Sequence, residues 1–155
     1  MALKRVFFPG SFDPFTKGHE AIVTKALGIV DEIVIGIGVH STKSPFFSLE
    51  TRKHHIQHLF PSERIKVVSF TGLTVDACIQ HQCSHLLRGL RDSKDFQYER
   101  SIAHMNQRLS GIETLFLLTD LSLSAINSTI VREIYQNQGD ITAFVTNSEL
   151  LIKGL

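Results

Sequence analysis

Tryptophan is absent from this sequence, and cysteine and methionine occur only twice each. Two cysteines cannot build a disulfide framework. Cys78 and Cys83 are predicted on one short helix and the turn after it, a placement that suits free thiols and a reducing cytoplasm. Long apolar runs are missing as well, and none approaches the roughly 18 residues of a membrane span. The opening MALKRVFF has neither the apolar stretch nor the cleavage site of a secretory signal. Charge of one sign is not in excess: 16 Lys and Arg face 15 Asp and Glu, for a formal net charge of +1. That balance gives no support to a nucleic-acid or membrane partner. Linkers, internal repeats and low-complexity tracts are also missing, so residues 1–155 are expected to form a single domain.

What the chain does have is an alternation of short apolar runs with helical patterns. Strands are predicted at 3–8, 32–37, 65–70, 85–88 and 114–118. Helices are predicted at 20–30, from a Ser48 cap to about Phe60 before Pro61, near 74–82, at 95–109, and at 127–137 with a stop at Gly139. The stretch 140–155 is weakly patterned. Strands separated by helices imply βαβ units, hence an α/β fold: a Rossmann-like, five-stranded parallel sheet flanked by helices. Such sheets bind ligands beyond the carboxyl ends of their strands.

Every predicted strand end carries polar residues. Gly10-Ser11 and Thr16 to His19 follow the first, His40 and Lys43 the second, Gly72 and Thr74 the third, Arg88 to Arg91 the fourth, and 122–129 the fifth. One rim would therefore collect cations, an imidazole, small hydroxyls and two helix N-termini, a set suited to phosphates. Gly10 would let a ligand approach the backbone closely. His19 in the first turn of a helix could donate to a phosphate oxygen. Taken singly, each feature reads as an ordinary cap or turn; their joint placement favours a site. None of the glycine patterns is a dinucleotide fingerprint or a P-loop.

Three stretches go further. Residues 9–19, PGSFDPFTKGH, closely resemble the phosphate-binding motif of the (H/T)-x-G-H nucleotidyltransferases. Residues 86–106, LLRGLRDSKDFQYERSIAHMN, are similar to a pattern of the bacterial phosphopantetheine adenylyltransferases, and INSTIVR at 126–132 resembles the second superfamily motif. The resemblance runs from residue 4 to about 146. It implies transfer of AMP from ATP to 4′-phosphopantetheine, giving dephospho-coenzyme A and pyrophosphate. It also implies Mg²⁺ bound mainly through the nucleotide phosphates, and a homohexamer. By this resemblance His19, Lys43 and Arg88 are the catalytic set, with His19 on the α-phosphate and Lys43 and Arg88 on the acceptor phosphate. Ser11 lies beside the reacting groups, and Thr74 contacts the acceptor. Phe12, Gly89, Leu90, Arg91 and Glu99 match nucleotide-contacting positions, as do Leu123, Ser124, Ala125, Ile126, Asn127, Ser128 and Thr129. Two positions depart from the family: Leu123 stands where an aromatic residue is usual, and Asn127 replaces a serine. The Arg-Gly-Leu-Arg and Asp-Phe-Gln-Tyr-Glu pattern argues against a nicotinate-mononucleotide adenylyltransferase or a glycerol-phosphate cytidylyltransferase. Retention of His19, Lys43 and Arg88 argues against a regulatory module that has lost catalysis.

No protein-held metal site is expected. His54 and His58 share helical spacing, and Cys78, His81, Cys83 and His85 are close in sequence, but packing is the favoured reading for both groups. Asp13 is read as a turn residue making local backbone hydrogen bonds, in preference to a Mg²⁺ ligand.

Overall fold

The computed structural model describes residues 2–152. Five parallel strands, β1 (Arg5–Gly10), β2 (Glu32–Gly38), β3 (Ile65–Phe70), β4 (His85–Leu90) and β5 (Glu113–Leu118), form one sheet in the order β3-β2-β1-β4-β5. The connecting helices are α1 (Lys17–Ala26), α2 (Leu49–Leu59), α3 (Thr74–Gln80) and α4 (Ser93–Ser110), and α5 (Ser128–Gln136) follows β5. The chain order reverses between β1 and β4, which places the topological switch point at their carboxyl ends.

Both faces of the sheet are covered, so the central strands read as unbroken apolar runs. Val6, Phe8, Ile33, Ile35, Ile37 and Leu87 face one layer, with Ile22, Val23 and Ala26 of α1 and Ile56 of α2. Their neighbours Phe7, Val34 and Leu86 face the other, against Val75, Ala77 and Cys78 of α3. Successive residues pointing to opposite faces is the two-residue period of a strand. A third cluster lies away from the sheet, where Phe47, Val131, Ile141, Val145 and Leu151 bury one another. The weakly patterned C-terminal stretch thus folds back on α5, ending in a single 3-10 turn at Ser148–Leu150; residues 153–155 lie outside the described residues.

Several boundaries differ from the sequence reading: α1 ends at Ala26 and not at 30, β4 reaches Leu90 and not 88, and α4 starts at Ser93 and not at 95. Strand β1 runs two residues further, through Pro9 and Gly10. Proline lacks an N–H, but β1 pairs with β4 only at Val6 and Phe7, and the Pro9 carbonyl accepts Arg88 Nη1 at 2.6 Å. Helix α1 starts at Lys17, because Thr16 caps it and His19 closes a capping box. Helix α5 ends before Gly139: Gln138 takes the left-handed conformation (φ 62°), and the Gly139 N–H returns to the Ile134 carbonyl at 2.8 Å. Glycine is needed at 139 for close approach, since a Cβ there would sit 2.6 Å from Ile134 Cγ2. Cys78 and Cys83 are free thiols, on α3 and the turn after it. No helix among the described residues is long and apolar enough to cross a membrane.

Candidate active site

Where β1 and β4 part, three cavities of about 310, 490 and 540 Å³ adjoin one another. Ser11 lines all three, Arg88 and Glu99 line the first and second, and Arg132 lines the first and third. Together they make one cleft along the carboxyl rim.

His19 lies in the first cavity, at the N-terminus of α1. The Thr16 N–H donates to His19 Nδ1 at 3.0 Å, and the His19 N–H donates to Thr16 Oγ1 at 3.4 Å. An Nδ1 that accepts a backbone N–H carries no proton, so the neutral ring is protonated at Nε2. Phe8, Phe12 and Phe15 surround the ring, with centroids 6.4, 5.1 and 5.1 Å away. Burial, then the positive charges of Arg88 and Arg91, lower its pKa to about 3. At neutral pH the side chain is therefore an uncharged hydrogen-bond donor, not an imidazolium.

Arg88 sits on β4. Its Nε and Nη2 donate to the two carboxylate oxygens of Glu99 at 3.0 and 2.6 Å, and its Nη1 donates to Pro9. Three of its five N–H groups are thus spent on holding the guanidinium, and two are left for a ligand. Glu99, expected at the nucleotide, lines the first cavity and also accepts the Arg88 fork that it orients; it is the one buried residue of α4. Arg91 is fixed in the same way, with Nε and Nη2 on Asp95 at 3.0 and 3.2 Å. Both planar cations are set before a ligand arrives, which reduces the ordering cost of binding.

The expected residues are spread over the three cavities, and five of them line none. Ser11, Phe12, His19, Arg88, Gly89, Arg91, Glu99, Ile126, Asn127 and Ser128 line the first cavity. Thr74 lines the second, and Lys43 lines the third, a different cavity from Thr74 and Arg88. Leu90, Leu123, Ser124, Ala125 and Thr129 are not among the lining residues. Leu90 is buried, while Leu123 closes the 3-10 turn Leu121–Leu123 and Thr129 Oγ1 accepts Arg132 Nη2. The Phe12 ring is buried against Phe8 and Phe15 in the wall of the first cavity. Gly10 carries no side chain because a Cβ would lie 2.8 Å from that ring. Asn127 caps α5, its Oδ1 accepting the Ile130 N–H at 2.8 Å, and Ser128 Oγ donates to the Pro14 carbonyl at 2.8 Å.

Asp13 corrects another expectation. Its bonds are not local: Oδ2 accepts the Phe46 N–H at 2.7 Å and Oδ1 the Phe47 N–H at 2.9 Å. Arg132 was missed altogether, although INSTIVR ends on it; it stands one helical turn after Ser128, and its Nη1 donates to the Asp13 carbonyl at 2.9 Å. Among the described residues no group of three or more His, Cys, Asp or Glu side chains could hold a metal ion.

Comparison with known proteins places this geometry. The cytidylyltransferase-like family model matches residues 7–134. A phosphopantetheine adenylyltransferase of Flavobacterium psychrophilum is 47% identical over 92% of this chain and 95% of its own length. One of Bacteroides thetaiotaomicron is 44% identical over 92% and 95%. Among solved structures, a bifunctional NMN adenylyltransferase/ADP ribose pyrophosphatase of Francisella tularensis, complexed with AMP and a manganese ion, shares the fold with a TM-score of 0.68 at 16% identity, over 96% of this chain and 48% of that one. A lipopolysaccharide core biosynthesis protein of Thermoplasma volcanium matches with a TM-score of 0.55 at 20% identity, over 77% and 98%. By sequence, fold and cleft, the chain belongs to the phosphopantetheine adenylyltransferases of the cytidylyltransferase-like nucleotidyltransferases.

Proposed function

We propose that this chain transfers AMP from ATP to 4′-phosphopantetheine, releasing pyrophosphate and dephospho-coenzyme A. An oxygen of the acceptor phosphate attacks the α-phosphorus, a new P–O bond forms, and the bond from that phosphorus to the pyrophosphate oxygen breaks. The nucleophile is already anionic, so the cleft needs no triad and no strong base. Its task is alignment and the stabilisation of charge as it develops. The observation that carries this reading is the neutral, Nε2-protonated His19 beside Arg88 and Arg91 at the point where β1 and β4 part.

In this reading the first cavity takes the nucleotide, and the His19 Nε2–H donates to an α-phosphate oxygen. The two unspent N–H groups of Arg88 meet the acceptor phosphate at the border with the second cavity. The second cavity, walled by Tyr98, Ile102 and Ala103 with Thr74 and Asn106 as polar contacts, suits a long, mostly apolar arm with amide groups. Lys43 meets the acceptor phosphate from the third cavity, past Ser11. Magnesium, when bound, would supply positive charge that offsets the negative charge of the nucleotide phosphates. The donor set fits an ion carried on the nucleotide, because Asp13 spends both carboxylate oxygens on backbone N–H groups.

We further propose that residues 1–155 act as one cytoplasmic domain and assemble as a homohexamer. Tyr98, Ile102, Met105 and Leu109 recur along one exposed stripe of α4, an apolar surface suited to self-association. Sedimentation equilibrium tests the assembly. Pyrophosphate release with ATP and a panel of 4′-phosphopantetheine, nicotinate mononucleotide and glycerol 3-phosphate tests the reaction. Release with 4′-phosphopantetheine alone is expected; release with another acceptor only would overturn the assignment.

A further inference from the structure

Lys43 is the one proposed acceptor cation that no helix or strand carries. It lies between β2 and α2, where the chain could stand well away from the cleft. Three residues further on, the chain is held firmly. The N–H groups of Phe46 and Phe47 converge on the two oxygens of Asp13, which is 9% exposed. Arg52, 4% exposed on α2, donates Nε to the Phe47 carbonyl at 3.0 Å and Nη1 to the Ser11 carbonyl at 2.6 Å. Arg132 Nη1 donates to the Asp13 carbonyl from α5. The Phe47 ring, 1% exposed, is clamped by Tyr135 and by the third apolar cluster. The 46–47 segment is thus fastened to the turn at 11–13 by a carboxylate and a guanidinium buried together. At most about 3.6 Å per residue separates Lys43 from Phe46, so the Lys43 backbone stays within about 11 Å of that anchor.

We propose that Asp13 and Arg52 are positioning residues: through the Phe46–Phe47 segment they hold Lys43 beside Ser11, at the acceptor-phosphate end of the cleft. The chemistry is specific. A carboxylate can accept both N–H groups, whereas an Asn amide accepts one and turns its NH₂ toward the other. A lysine at 52 keeps the charge but lacks the planar fork that reaches two carbonyls on different segments.

The inference rests on the proposed adenylyl transfer, so its test has one arm that needs no activity. In the first arm, Asp13→Asn, Lys43→Ala and the double variant are compared by pyrophosphate release. Asp13→Asn should lower kcat/KM for 4′-phosphopantetheine by roughly 10–100-fold, the scale of a small misplacement, with KM for ATP within about twofold. In the Lys43→Ala background the same change should cost less than about threefold, because the group it positions is gone. Independent, multiplying effects, or an equal rise in KM for ATP, would overturn the proposal. In the second arm, amide hydrogen exchange is measured on wild type, Asp13→Asn and Arg52→Lys, each with its thermal unfolding midpoint. Faster exchange confined to segment 44–47, in variants that still unfold cooperatively, is expected. Unchanged protection there would overturn the proposal. A wild-type enzyme inactive with this acceptor would refute the functional reading, and exchange would then decide the anchoring by itself.

Discussion

The backbone N–H of Thr16 donates to Nδ1 of His19 at 3.0 Å, and that bond leaves the ring proton on Nε2. The imidazole is thereby a committed donor, held by the first turn of its own helix. In the proposed reaction, negative charge grows on the α-phosphate oxygens only as the new bond forms. A donor aimed at that charge is worth most in the transition state. His19→Ala should therefore lower kcat by roughly 10²–10³-fold, with a smaller effect on KM for ATP. Steady-state kinetics over both substrates decides; near-normal turnover would remove His19 from the chemistry.

The same ring makes a pH prediction. Burial and the neighbouring Arg88 and Arg91 hold His19 at a pKa of about 3, and burial also lowers His55, whose Nε2–H donates to the Thr146 carbonyl. In the unfolded chain both would titrate near 6.5. Below that pH the unfolded state takes up protons that the folded state refuses. Stability should therefore fall as pH drops from about 6.5 toward 3, and these groups contribute no slope above about 7.5. Urea midpoints at pH 7.5, 6.5 and 5.5 test the trend. Imidazole NMR tests the cause: the free enzyme should show His19 still neutral at pH 5, and bound ATP should raise its pKa by adding negative charge. A His19 titrating near 6.5 without ligand would contradict the account.

Much of this architecture was legible because the sheet is buried on both faces. EIVIGI is a short apolar run between turn residues and β2 lies almost where it does, while the edge strand β3 shows as alternation in IKVVSF, with Lys66 and Ser69 exposed. The rim was legible for a related reason, since a parallel sheet sends every strand end to one edge. What stayed hidden depends on partners distant in sequence. Pro9 looked like a strand stop, yet it is tolerated because β4 has already diverged and Arg88 takes its carbonyl. Glu99 was read only as a ligand contact, and its pairing with Arg88, eleven residues earlier and on another element, was not visible. Asp13 looked like a local turn residue, and nothing near it in sequence points to Phe46 and Phe47. The neutral state of His19 comes from its burial and from Arg88 on β4 and Arg91 just after it, a sum that the 9–19 motif alone does not display.

The Arg88–Glu99 pair gives a third expectation. Arg88→Ala removes an acceptor-side cation and leaves the Glu99 carboxylate without its partner. Glu99→Gln keeps the shape but weakens the bond that aims Arg88. Hydrogen bonds to charged groups contribute about 1.5–3 kcal/mol, which corresponds to roughly 10–100-fold in affinity. Arg88→Ala should weaken 4′-phosphopantetheine binding on that scale, and Glu99→Gln by less, with ATP affected least. Titration calorimetry with each ligand separately checks this. A loss confined to ATP would reverse the assignment of the two cavities.

A fourth expectation concerns the core beneath the cleft. A Cβ on Gly36 of β2 would lie 2.2 Å from Phe7 Cζ, and the Phe7 ring is fully buried against Phe70 and His81. To make room the ring would have to move against those neighbours. Gly36→Ala should therefore cost about 1–3 kcal/mol or more of stability, read as a lower urea midpoint. An unchanged midpoint would mean that the strand shifts without penalty.

The last expectation concerns Leu123, where the motif resemblance implies an aromatic residue. An aromatic side chain stacked on the adenine base would contribute about 1–3 kcal/mol by comparison with alanine-scale losses in nucleic-acid sites, or roughly 5–100-fold in affinity. Leu123 is not placed to use that contribution. It ends the 3-10 turn Leu121–Leu123, its N–H donates to the Asp120 carbonyl at 2.9 Å, and it lines none of the three cavities. Asp120 in turn is tied to α1 by its 2.7 Å ion pair with Lys25. A tyrosine at 123 would therefore start from a backbone held outside the nucleotide cavity. Leu123→Tyr should leave the affinity for ATP within about twofold and that for 4′-phosphopantetheine unchanged. Paired calorimetric titrations on wild type and variant separate the outcomes, because a stacking gain would exceed fivefold. Tightening on that scale would show that the 119–127 segment closes onto the base when nucleotide binds, breaking the Lys25–Asp120 pair. An added Lys25→Ala substitution would then strengthen the gain, whereas with the segment fixed it should change nothing at the nucleotide.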